Sequence, residues 1–199
     1  MVRILGIDPG TQVVGYGCLE ITIERRQHGG ELPMAMRGSN VVRLAGGQAD
    51  GVRLLAAGVL RLGGRSVVLP DRLLSLSEQF RGLVQRFEPG ELAIEEAFHG
   101  KSAQAALRIG EARGVVLAEA ARARLAVFQF APARVKRCVT GNGAAGKESV
   151  AAMVAQFVQN GRDALAVGLP FDASDAVAVA WTRLEERRSP ILRLHATED

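Results

Sequence analysis

Residues 2–21 read VRILGIDPGTQVVGYGCLEI, two apolar runs joined by DPGTQ at 8–12. Short apolar runs on either side of a turn-rich connection predict a hairpin of two strands, VRILGI and VVGYGCLEI. The odd element is Asp8, an aspartate at the end of the first run. A buried carboxylate is costly unless it is paired or holds a metal. Asp8 therefore either shapes the turn before Pro9-Gly10 or is what the strand exists to present.

Outward from this hairpin, residues 29–64 carry Gly pairs at 29–30, 46–47 and 63–64 with short apolar pieces between them. A third strand with long Gly-rich connections is expected there. PDRLLSLSEQFRGLVQRF (70–87) has apolar residues at helical spacing behind a proline and predicts a helix. Pro89-Gly90 breaks the chain. LAIEEAF (92–98) then predicts a strand, 101–124 an Ala-rich helix, LAVFQFA (125–131) a strand bounded by Pro132, and about 147–159 and 172–187 two further helices. The tail after Pro190 is expected to fray. Hairpin strands followed by alternating helices and strands give an α/β layout with a mixed sheet, antiparallel at one edge and parallel through the helical crossovers.

The 199 residues are 48% apolar and 23% charged, an ordinary globular composition. No apolar run approaches the roughly 18 residues of a membrane span, and Asp8 interrupts anything like a signal peptide. Two distant cysteines, Cys18 and Cys138, and three scattered histidines argue against a zinc site and fit a reducing cytoplasm. The net charge of +4 hints at an anionic partner. Basic residues gather after residue 100, Arg113, Arg134, Lys136, Arg137 and Lys147 among them. They form either solvated helix faces or a nucleic-acid surface.

Carboxylates recur where an element would aim them into one site. Asp8 ends the first strand, Glu95 and Glu96 end LAIEE, and Asp172 and Asp175 stand at i, i+3 on one face of a helix start. Each has an ordinary reading: turn residue, surface charge, or N-cap with an acidic first turn. Gathered together, they would repel unless a cation intervened. Hard divalent ions take oxygen ligands, and two of them about 3.5–4 Å apart clamp a phosphoryl displacement.

ILGIDPGTQVVGYG, LAIEEAFHGKSAQAALRIGEARG and FDASDAVAVA together resemble the RuvC family of bacterial Holliday junction resolvases. The likeness runs over about residues 2–20 and 85–184. It implies a ribonuclease H-like fold, here a mixed five-stranded sheet flanked by helices, with residues 1–187 as one nuclease domain and 188–199 as a tail. It further implies a cytoplasmic homodimer that uses Mg²⁺ (or Mn²⁺), two ions per site, to nick opposed strands of a four-way DNA junction. The RuvA and RuvB branch-migration proteins would be partners. Position by position, the family's acids fall on Asp8, Glu95, Asp172 and Asp175, with Asp8 expected to bridge both ions. Successive strand residues face opposite ways, so Glu95 and Glu96 cannot both join Asp8, and the resemblance selects Glu95.

Phe98 falls on an aromatic position that the family uses near unpaired bases, where stacking is the physical reason for exposure, and Lys101 follows in the same turn. Lys136 and Lys147 fall on basic positions near the site, with Arg134 and Arg137 as helpers on phosphates. GNGAAGKE (141–148) matches G-x-x-x-x-G-K but ends in Glu148 where an ATP-binding loop needs Ser or Thr, so no nucleotide site is read there. An actin-like kinase, which opens on a similar Asp-Gly hairpin, needs two lobes that 199 residues do not supply. A related nuclease acting on RNA or another branched nucleic acid is the alternative function.

Overall fold

The computed structural model describes residues 1–22, 52–64, 66–96, 103–159 and 169–188. Its five strands are β1 (Val2–Asp8), β2 (Val13–Ile21), β3 (Val52–Arg61), β4 (Glu91–Glu95) and β5 (Ala126–Phe130). The helices are α1 (Leu69–Phe87), α2 (Ala103–Arg122), α3 (Pro132–Thr140), α4 (Lys147–Gln159) and α5 (Phe171–Arg188). The strands form one sheet in the order β3-β2-β1-β4-β5. β1–β2 and β2–β3 are antiparallel, whereas β1–β4 and β4–β5 are parallel. The expected five-stranded mixed sheet is therefore present, with β1 at its centre.

Alternation along each strand sorts the core into two layers. Leu5, Ile7, Cys18, Leu92 and Ile94 pack with α1 and α2, through Leu76, Phe80, Ala112 and Val116. Ile4, Leu19, Ala93 and Phe130 face the other side, where Val135, Val139, Val150, Val154 and the apolar stretch Val177–Trp181 cover them. Cys18 and Cys138 are both free thiols. Among the described residues no helix is long and apolar enough to cross a membrane.

Helix α5 lies directly on the backbone of β1 and β2, because the positions beneath it are glycine. A Cβ on Gly6 would stand 2.1 Å from the Ala176 carbonyl oxygen, and one on Gly15 would stand 1.8 Å from that of Asp172. Neither obstacle is a side chain that can rotate away. Glycine here serves close approach, the use that outweighs its cost in a strand interior.

The structure adds one element to the sequence reading and shortens another. The segment after β5, to which the sequence pattern assigns no element, is a helix, α3: Pro132 sits in its first turn, where the missing N–H costs nothing, and Gly141 ends it in the left-handed region (φ 78°). β4 ends at Glu95 instead of running to 98. The expected third strand is present as Val52–Arg61. The rest of the Gly-rich segment, the expected turn with Phe98, His99 and Lys101, and the tail from 189 lie outside the described residues.

Candidate active site

The parallel register pairs Ile7 with Ile94. One residue further on, Asp8 and Glu95 end neighbouring strands on the α5 side of the sheet. Asp8 is also the antiparallel partner of Gly15, the residue on which the Asp172 backbone rests. The glycine floor thus sets the first turn of α5, with Asp172 and then Asp175, over the ends of β1 and β4. Carboxylates suit a helix start, where the dipole favours negative charge. Glu96, facing the other way, is exposed.

Electrostatics tie the four acids together. Burial, reinforced by the negative charges of Glu95, Asp175 and Asp172, pushes the Asp8 carboxyl from 3.8 up to about 8. Burial and then Asp175 raise Glu95 as well, while Lys147 and Lys136 oppose the shift. Lys147 opens α4, and its Nζ stands 3.0 Å from Asp175 Oδ2. Burial alone would lower the Lys147 ammonium, but the hydrogen bond and charge of Asp175, with Asp8 and Asp172 behind it, outweigh that and raise it. Perturbed groups of this kind cluster at functional sites.

The donor set is all carboxylate oxygen, the set that hard divalent cations take, and Asp8 shows that the site carries surplus negative charge. Among the described residues no group of three or more His, Cys, Asp or Glu side chains is already gathered as a metal cage. The residues fit a divalent ion in chemistry and charge.

The other expected residues divide. Lys136 is half-buried in α3 and close enough to Glu95 to act on it. Arg137 is exposed on the same helix. Arg134 is turned inward: its Nη2 donates to Glu186 at 2.7 Å, and its guanidinium lies over the Phe130 ring, 5.1 Å from the centroid. A residue that sequence reasoning left among the basic run, Arg113 of α2, donates from Nε to the Glu95 carbonyl at 3.3 Å and also bonds Gln129. It braces the end of β4 against β5. Only its place in the ARG at 112–114, which closes the second of the three motifs, could have marked it.

A family model described as crossover junction endodeoxyribonuclease RuvC matches residues 33–183. The chain belongs to the RuvC family. Similarity to RuvC relatives extends beyond the matched segment. The crossover junction endodeoxyribonuclease RuvC of Myxococcus xanthus is 34% identical over 190 residues, covering 96% of this chain and 84% of the relative. That of Trichlorobacter lovleyi is 35% identical over 199 residues, covering 98% and 90%. Among solved structures, Thermus thermophilus RuvC in complex with its Holliday junction substrate superposes with a TM-score of 0.70 at 26% identity, covering 94% of this chain and 96% of that one.

Proposed function

We propose that this chain is a structure-specific endonuclease that resolves four-way (Holliday) DNA junctions by paired, symmetric nicks during recombination and repair. The observation that carries the reading is the meeting of Asp8, Glu95, Asp172 and Asp175 at one end of a RuvC-family sheet, with Asp8 raised to about 8 by burial and by the other three. These four residues would hold Mg²⁺, with Mn²⁺ as a substitute and two ions per site. When bound, the ions supply an ionised water and stabilise the leaving 3′-oxygen.

The protein's own groups do the rest. β1, β4 and the glycine-seated start of α5 fix the carboxylates before substrate arrives, so little reorganisation is left for the chemical step. Lys136 and Lys147 meet the phosphates flanking the cut, and Arg137 extends that basic edge. Phe98 and Lys101, on the segment after Glu95, contact bases and backbone near the exchange point, the former by stacking. A homodimer supplies the two matched cuts, and RuvA and RuvB are the partners in a reducing cytoplasm.

The test incubates the protein in Mg²⁺ with a synthetic four-way junction, a linear duplex and an RNA–DNA hybrid. Paired nicks confined to the junction are expected; cleavage of the hybrid alone would overturn the assignment. Asp8→Asn should keep junction binding and lose cleavage by at least about a hundredfold, since even residues that only support a metal ligand cost 10–100-fold.

A further inference from the structure

Lys147 does more than add positive charge. Its stem starts at the first residue of α4, and its ammonium reaches Asp175 Oδ2 at 3.0 Å. The pair is unequal in exposure, with 58% of the Lys147 side chain accessible against 18% of Asp175. Its charge is felt by Asp8 and Glu95 and responds to Asp172 as well. The Lys147 ammonium thus interacts with all four carboxylates, and makes its direct contact with Asp175.

Resting on the reading of this site as a divalent-metal nuclease centre, we propose that Lys147 is the site's resident counter-ion: its ammonium stands in for the metal on Asp175 and must leave before a divalent cation can be held there. The exposure of the lysine makes the exchange feasible. The stem is long, lies largely in solvent, and can swing out without disturbing the core. The departing ammonium is then free at the rim of the site, where a phosphate of the substrate is the available anion. Metal loading and the release of a phosphate-binding lysine become one event. The metal-free protein offsets part of the repulsion among its carboxylates, and it does so with weakened metal affinity.

The experiment measures Mn²⁺ binding to the DNA-free full chain, by the loss of the free-ion electron paramagnetic resonance signal. Wild type is compared with Lys147→Met, which keeps the stem and removes the charge, and with Lys147→Arg, which keeps the charge. Lys147→Met should bind Mn²⁺ tighter by about fivefold, the upper end for a partly exposed ion pair, and Lys147→Arg should stay near wild type. Equal or weaker Mn²⁺ binding by Lys147→Met overturns the proposal. A second measurement on wild type needs no variant to fold: the rate of reductive methylation of the Lys147 amine should rise when Mg²⁺ is added, and an unchanged or slower rate counts against the exchange. The two readings separate cleanly. Junction cleavage with unaltered Mn²⁺ affinity in Lys147→Met removes the counter-ion role alone. Tighter Mn²⁺ binding by Lys147→Met, with the four-way junction left uncut by wild type in Mg²⁺, removes the nuclease reading and leaves the counter-ion role standing.

Discussion

The two ends of α5 treat charge in opposite ways. At its start, Asp172 and Asp175 crowd toward Asp8 and Glu95, and the cation on Asp175 is a partly exposed lysine. At its far end every carboxylate is matched by arginine. Arg183 donates to Glu91 at 2.8 Å and to Glu186 at 2.7 Å and lies 3.3 Å from the centroid of Phe128. Arg187 is a second arginine on Glu91, and Arg134 a second on Glu186. Glu91, Arg183 and Glu186 are all buried. Buried acids with fixed, planar partners hold the fold together. Acids left with surplus charge beside a replaceable cation are available for chemistry.

The contrast can be broken most forcibly at the balanced end. Glu91→Gln leaves the buried Arg183 with one carboxylate fewer and should destabilise the protein by about 3–5 kcal/mol, the cost of removing one partner of a buried pair, as read by urea unfolding. At the unbalanced end the effect appears as pH dependence. Asp8 titrates at about 8 in the folded state against 3.8 for the ordinary group, so between those values the native state holds a proton that the unfolded chain has lost. Its contribution is full below pH 3.8 and is lost as pH rises toward 8. Stability in a metal chelator should therefore fall across this window by up to about 1.4 kcal/mol per pH unit, and Asp8→Asn should flatten the slope. A slope identical in wild type and variant would show that Asp8 is not the group responsible. The smallest effect belongs to Arg134→Gln. Its partly exposed bond to Glu186 should be worth about 0.5–1 kcal/mol. Because the side chain points inward, the salt dependence of junction binding should stay unchanged, whereas losing Lys136 should make it shallower.

Sequence pattern carried the unbalanced end well. Asp8 stands out because it closes an apolar run, and Asp172 with Asp175 because i, i+3 spacing shares a helix face. The balanced end was illegible. Arg183 and Glu186 are also i, i+3, which reads as a solvated helix face, and the partner that buries them, Glu91, lies 92 residues away. Such pairing depends on the sheet register, not on local spacing. α3 was missed for a local reason: Pro132 both ends a strand and begins a helix, and only tertiary packing of Val135 and Val139 decides between them. The basic residues after 100 look alike in sequence, yet Arg134 and Arg113 brace the scaffold while Lys136 and Lys147 face the acids.

The glycines under α5 have a consequence for how the protein can change over time. With backbone resting on backbone at Gly6 and Gly15, the height of Asp172 and Asp175 above the sheet is fixed by main-chain thickness and not by the size of any side chain. The opposite layer, where α1 and α2 meet Leu5, Ile7, Leu92 and Ile94, can therefore drift in composition while the spacing of the acids stays constant. The two faces of one sheet are free to evolve at different rates, the acid-bearing face tethered to its glycines and the far face answerable only to packing.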